Sequence, residues 1–238
     1  MRTCLTELHT ASFAAEREWT VEGIPVLTAS VEVPQPQGTD AVSRRIRRYY
    51  QTQCRAYLRY CQRWLLPQAE AEYRAALAAS APLPCFRAEL GYRVTYNEGG
   101  LWSLYTQSRE ITLPGQTLLT RRGDTWDLAE GYPVPLSAFF QSRSPWKRQL
   151  LSLAAAEIER QEKAGISRYH EGWRKALRRR FNAQNFYLTG EGLIFFYPMY
   201  AIAPAAEGIP AFTVPFGEQG PLPAVRNKKP EEKSRPES

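Results

Sequence analysis

The stretch from Cys85 to Leu128 narrows the folding options most. Cys85 to Asn97 (CFRAELGYRVTYN) alternates, with Leu90, Tyr92, Val94 and Tyr96 on one phase. A period of two marks a half-buried strand. Asn97-Glu98-Gly99-Gly100 follows as a hairpin turn, because its glycines take positive φ without penalty. Leu101 to Thr112 returns as the partner, Pro114-Gly115 turns again, and Gln116 to Leu128 makes a third strand. That third strand is expected to break near Arg122-Gly123-Asp124. A meander of this kind exposes two faces and needs other elements to cover at least one of them.

The flanking segments supply the cover. Val26 to Val33 (VLTASVEV) alternates as a strand, which Pro34, Pro36 and Gly38 end. Thr39 or Asp40 then caps a long helix. Ile46, Tyr50, Cys54, Tyr57, Cys61 and Trp64 recur at helical spacing as its inner face. Pro67 should kink the helix, interrupt it or start a new one, and Pro82 and Pro84 stop it. After the meander, Leu136 to Phe140 reads as a short turn or helix. Leu150, Leu151, Ala154 and Ile158 mark a helix ended by Gly165. A further helix is expected from Ser167 to Phe181, with Trp173, Leu177 and Phe181 stacked along it. Asn185 to Thr189 and Leu193 to Tyr197 form a hairpin, and Ala211 to Phe216 is a last strand.

This segregation predicts an α+β fold, with a mainly antiparallel sheet and helices packed on one face. The domain spans residues 19–216. Residues 1–18 are expected to be a flexible N-terminal arm, and residues 217–238, rich in Pro, Lys, Glu and Ser, a disordered tail.

Composition removes several classes. Hydrophobic residues make up 43% of the chain, enough for a real core. No apolar run approaches the roughly 20 residues of a membrane-spanning helix. Charges from Arg2 to Glu18 leave no signal-peptide core, so the chain as written is expected in the cytoplasm. Cys54 and Cys61 sit seven residues apart on one helix, roughly 10 Å along its axis, too far to pair. With 4 cysteines, 2 histidines and no CxxC, neither a metal site nor a cofactor is expected.

Catalytic signatures are sparse. Nucleophilic catalysis needs a Ser or Cys served by a base, yet His9 falls in the arm and His170 near a basic helix. GxSxG and phosphate-cradling Gly-rich loops are missing. Glu89, Glu98, Glu110, Asp124, Asp127 and Glu130 cluster in the β-rich centre, where a glycan hydrolase could use two of them. On Arg-rich strands such glutamates more often serve as cross-strand partners. Basic clusters are the stronger feature: Arg44-Arg45-Ile46-Arg47-Arg48, then Arg174, Lys175, Arg178, Arg179 and Arg180. The net charge of +7 agrees with an acidic partner. These stripes also suit phosphates, which makes nucleic acid the second candidate partner.

One block resembles a known family. Asn185 to Phe216 contains two aromatic-rich strands, then Tyr200, Ile202, Ala203 and Pro204 in the order Tyr-x-Ile-Ala-Pro, then Gly208 and a last strand. This is similar to the C-terminal domain of RsiV-type bacterial proteins, a domain also attached to some peptidoglycan deacetylases. Tyr92 to Tyr105 resembles that family's hairpin, and Asp127 to Gly131, with Pro135, Leu136, Phe139 and Phe140, resembles a second of its stretches. The resemblance covers residues 26–216. It implies a sheet-plus-helices fold and a ligand-binding face. In its best-known member that face recognises lysozyme outside the cell, coupled to proteolysis of a membrane-anchored anti-sigma factor. The chain departs from the family in two ways. Arg109 to Gln116 replaces a His-containing segment, and the given sequence holds no anti-sigma segment or anchor.

The expectation is therefore a non-enzymatic binding or sensing module for a protein or cell-wall-related ligand. The predicted surface is the meander loops from Gln107 to Asp124, with Arg109, Arg121 and Arg122 supplying charge and Trp126 and Tyr132 supplying apolar anchors.

Overall fold

The computed structural model describes residues 7–113, 115–217 and 220–222. The large sheet has six strands in sequence order. They are β1 (Thr10–Val21), β2 (Ile24–Pro36), β3 (Phe86–Glu98), β4 (Leu101–Ile111), β5 (Thr117–Asp127) and the short β6 (Tyr132–Pro133). Every pair is antiparallel except β2 with β3. That parallel pair requires a crossover, which the helical stretch between them provides. The fold is α+β with mainly antiparallel pairing.

The crossover begins at Asp40, whose carboxylate accepts the Ser43 amide at 2.9 Å and caps α1 (Ala41–Tyr60). Ile46, Tyr50 and Cys54 bury as expected. Trp64 does not: it is 58% exposed. A π-helical turn at Cys61–Leu65 explains this, closed by the Leu66 amide on the Cys61 carbonyl. Pro67 cannot donate the next α-helical hydrogen bond, so the extra residue is accommodated just before it. The insertion rotates the inner stripe, so that Leu65 at the end of the turn and Ala69 and Tyr73 in α2 (Leu66–Ala78) are buried.

This helical arm covers one face of the large sheet. Val31, Val33, Ile46, Tyr50, Trp102, Leu104 and Trp126 form the core beneath α1. Leu27, Cys61, Leu65, Tyr73 and Phe86 continue it beneath α2.

The opposite face receives a second, three-stranded sheet of β7 (Phe186–Thr189), β8 (Gly192–Phe196) and β9 (Ala211–Pro215). Its strand β7 packs on β3, β4 and β5. Helices α3 (Trp146–Lys163) and α4 (Trp173–Arg179) share its core through Leu150, Ala154, Ile158, Trp173 and Leu177.

Several expectations need correction. Thr10–Val21, within or adjoining the expected arm, is strand β1. An edge strand held by main-chain bonds to β2 buries little, so it lacks the apolar alternation that would announce it. Residues 1–6 lie outside the described chain. Helix α4 starts only at Trp173, because Gly172 stands at φ 76 and breaks the helical path before it. Strand β5 runs unbroken through Gly123. The expected tail is ordered in part: the Leu222 amide donates to the Phe139 carbonyl at 2.7 Å. Residues 218–219 and 223–238 lie outside the described chain.

Candidate ligand-binding face

Alternation along β3, β4 and β5 sends neighbouring side chains to opposite faces. One phase meets α1 and the other meets the small sheet or open space. The predicted site residues divide along this line.

Trp126 belongs to the core. It is 2% exposed, and its indole N–H donates to the Tyr50 hydroxyl at 3.0 Å. It therefore cannot anchor a ligand at the surface. Beside it, the Tyr50 and Tyr49 hydroxyls donate to Asp124 at 3.2 and 3.3 Å, and Arg122 Nε donates to the same carboxylate at 3.3 Å. Burial pushes the Asp124 carboxyl above its ordinary range, while Arg122 and the tyrosines pull it back. The helix-side position of Arg122 separates it from Arg121. Tyr132 is exposed, but it lies on β6 beneath the Arg45 guanidinium, 4.2 Å from the ring centre.

Arg109 and Arg121 remain together on the other face. The register places Glu89, Arg109 and Leu119 in one row across the sheet, Gly91, Gln107 and Arg121 in the next, and Arg93, Tyr105 and Gly123 in the third. Arg121 donates through Nε and Nη2 to Gln107 Oε1 at 3.0 and 2.7 Å. Its guanidinium also lies over Tyr105, 4.5 Å from the ring centre, with Phe196 of the small sheet 5.8 Å away. Arg109 pairs loosely with Glu89 at 3.8 Å, both side chains being about half exposed. Exposed pairs of this kind hold weakly. Tyr105 and Tyr187 bring their rings to 5.0 Å, and the charges of Arg121 and Arg93 act on the Tyr187 hydroxyl.

Gly91 sits in the middle of this cluster. A Cβ built on it would meet nothing within 4 Å. A glycine inside a strand gives up packing, and here nothing in the fold fills the space above it. The result is a charged patch with three arginines and one carboxylate, Glu89, around a bare stretch of backbone. Arg93 and Gly91 are the members that sequence reasoning missed. The signal was the alternation Glu89, Gly91, Arg93, which puts them on one face with Arg109 and Arg121.

The two buried carboxylates of the meander lie far apart. Glu110 accepts the Tyr60 hydroxyl at 3.0 Å and, like Asp124, is buried on the helix side. Asp124 stands opposite Leu104, six residues along β4 from Glu110. At about 3.3 Å per residue the two are roughly 20 Å apart, against the roughly 5–10 Å that glycoside hydrolysis uses. Glu89 is the cross-strand partner expected of it.

The first basic cluster serves the fold. Arg47 donates to the Pro36 and Gly38 carbonyls, Arg45 to those of Glu130 and Gly131, and Arg44 to Thr39. The turn after β5 is also braced by its own Asp127. Asp127 accepts the amides of Ala129 and Glu130 at 2.7 and 3.2 Å, and Gly131 takes φ 70.

The block around Tyr200 braces the small sheet. Ile202 and Ala203 are buried, and the Ile202 carbonyl accepts the His170 amide at 3.0 Å. Met199 Sδ accepts the Leu119 amide at 3.2 Å, and Gly208 takes φ 65.

Residues 137–217 match the family model DUF3298, described as a protein of unknown function. The matched segment contains α3, α4 and the small sheet, whereas the arginine face lies on the strands before it. The chain is also similar to two solved structures. One is a DUF3298 family member from Bacteroides fragilis, with 15% identity, TM-score 0.61, and coverage of 88% of this chain and 91% of that one. The other is a DUF3298 family protein from Pseudomonas aeruginosa, with 17% identity, TM-score 0.56, and coverage of 87% and 90%. At these identities the likeness is one of fold. Among curated proteins none matches. No helix of the described residues is long and apolar enough to cross a membrane.

Proposed function

We propose that this chain is a non-enzymatic binding module that takes an acidic ligand on the face built around Gly91. The observation that carries the reading is the open space over Gly91, bordered by Arg93, Arg109, Arg121 and Gln107, with Glu89 as the one carboxylate among these neighbours and loosely paired with Arg109. Guanidinium groups are suited to carboxylates and other planar or tetrahedral anions. Tyr105 and Tyr187 add apolar area with polar tips, a composition common at binding surfaces.

The RsiV likeness narrows the ligand to a protein or a wall-related molecule. An arginine face favours the carboxylate-bearing wall fragments, and lysozyme is the bait that the likeness itself suggests. The nucleic-acid reading is weaker, because Arg44, Arg45 and Arg47 already hold loop carbonyls.

The test is binding of soluble peptidoglycan fragments and, separately, of lysozyme to the wild type and to an R93A/R109A/R121A variant. The expected result is fragment binding that weakens between about 50 mM and about 500 mM salt, as exposed charges are screened. Loss of three exposed charge contacts worth ~0.2–1 kcal/mol each gives a roughly 3- to 150-fold weaker variant. Retention of neither bait, or retention that ignores both salt and the three substitutions, would reject this face. Capture of arbitrary DNA in place of either bait would reassign the chain to the nucleic-acid reading.

A further inference from the structure

A second cavity lies on the far side of the small-sheet core, in the groove between α3 and α4, with a volume of about 770 Å³. That size is ordinary for a small-molecule site. Its floor is apolar: Leu151, Ala155 and Trp146 are half-buried, and the core residues Trp173 and Leu177 lie beneath them. Its rim is cationic, formed by Lys147, Arg148, Arg174 and Arg178, and no carboxylate is among its lining residues.

The rim cations differ in how they are employed. Arg174 Nη2 is 2.6 Å from Glu159 Oε1, and its guanidinium lies over the Trp173 ring at 4.4 Å. Lys147 Nζ lies over the Phe181 ring at 5.3 Å. Arg148 and Arg178 are exposed and have no ion-pair partner among the described residues. The mouth also includes Ser144, whose buried hydroxyl lacks a hydrogen-bond partner among the described residues. Here α3 begins without a side-chain cap, at Pro145.

We infer that this groove binds a small anionic amphiphile: a molecule with an apolar body lying on the half-buried Leu151, Ala155 and Trp146 side chains, and one carboxylate or similar anion held by Arg148 and Arg178. Uncompensated like charges at the rim of an apolar cavity repel one another, and a ligand anion relieves that repulsion while its body covers apolar surface. The basic residues of α4 thereby acquire a role other than that of a nucleic-acid stripe. The site is separate from the Gly91 face and does not depend on it.

The test is titration of the full chain with dodecanoate, followed by calorimetry and by tryptophan fluorescence, with dodecanol and inorganic phosphate as partial ligands. One saturable site for dodecanoate is expected, at least about ten-fold tighter than for dodecanol, a gap of about 1.4 kcal/mol. Phosphate alone should bind at least as poorly as the alcohol. An R148A/R178A variant should keep its melting temperature, because both side chains are exposed and unpaired, and should weaken dodecanoate binding about ten-fold or more. Equal affinity for acid and alcohol would show a merely apolar cleft and overturn the proposal. Unchanged affinity in the variant, or the absence of a saturable dodecanoate site, would do the same. Arginine-dependent binding to anionic lipid vesicles without binding of monomeric dodecanoate would also overturn it, and would assign the cations to a membrane surface.

Discussion

Ser103 in β4 joins the two sheets by accepting the buried amide of Leu188 in β7, at 2.9 Å. The same hydroxyl lies 2.7 Å from Thr125 Oγ1 and 3.2 Å from the Asp124 carbonyl oxygen, so one small polar side chain serves three strands. The Ser103→Ala variant leaves the Leu188 N–H buried without a partner. A loss of about 1–3 kcal/mol in unfolding free energy is expected, read from urea unfolding curves. A loss below about 0.5 kcal/mol would mean that the small sheet docks by apolar contact alone.

Two glycines on adjacent rows should respond in opposite ways. A Cβ on Gly123 would sit 1.8 Å from the Phe186 carbonyl oxygen, whereas one on Gly91 meets nothing within 4 Å. Gly123→Ala is expected to force the sheets apart and lower the melting temperature sharply, or prevent folding. Gly91→Ala should leave stability equal or slightly raised, since glycine weakens a strand interior. It should nonetheless weaken binding of the wall fragments, because the methyl group stands where the ligand approaches.

Asp124 is predicted to shape the pH dependence of stability. Its folded-state pKa lies above the ordinary 3.8, with burial as the largest cause. A raised carboxyl pKa means that the native state holds the proton more tightly than the unfolded chain. Its contribution to stability therefore falls as pH rises from about 4 through the raised value. Asp124→Asn removes that ionisation and still offers an acceptor to the tyrosine hydroxyls. Urea midpoints between about pH 4 and pH 7 should decline less with pH in the variant than in the wild type. Parallel declines would assign the effect elsewhere, with Glu110 the first alternative, because burial raises its carboxyl too.

Trp126 and Tyr132 should separate core from surface. Trp126→Ala removes a buried ring and the hydrogen bond it donates to the Tyr50 hydroxyl, with an expected cost of about 3–5 kcal/mol. Tyr132→Ala loses one exposed cation–π contact with Arg45, about 0.5–1 kcal/mol. Chemical denaturation of both variants checks this, and similar losses would contradict the burial of Trp126.

Much of the fold was legible because it depends on local rules. The meander announced itself through alternation and Gly-Gly turns, and α1 through its stripe and its Asp40 cap. The errors fell where a non-local contact or one special residue overrides a pattern. Strand β1 needs only the edge of β2. Trp64 left the core because a π-helical turn before Pro67 rotated the stripe. Gly123 looked like a break in β5, yet it is the point where the second sheet comes closest. Within the candidate site, Arg109 and Arg121 share one face of the sheet, whereas Arg122 and Trp126 lie on the helix side. Adjacent residues on a strand point to opposite faces, and a meander read without its cover does not say which face is open.

The chain's sequence by itself determined the class of fold, the three-strand meander, the capped crossover helix and the basic character of the surface. All of these follow from spacing, turn chemistry and charge. Tertiary structure alone decided that the aromatic segment after Asn185 forms a separate sheet, that it covers only part of the meander, and that a patch around Gly91 stays bare. Burial is settled by which surfaces meet across long separations in the chain, and no periodicity along the chain records that choice.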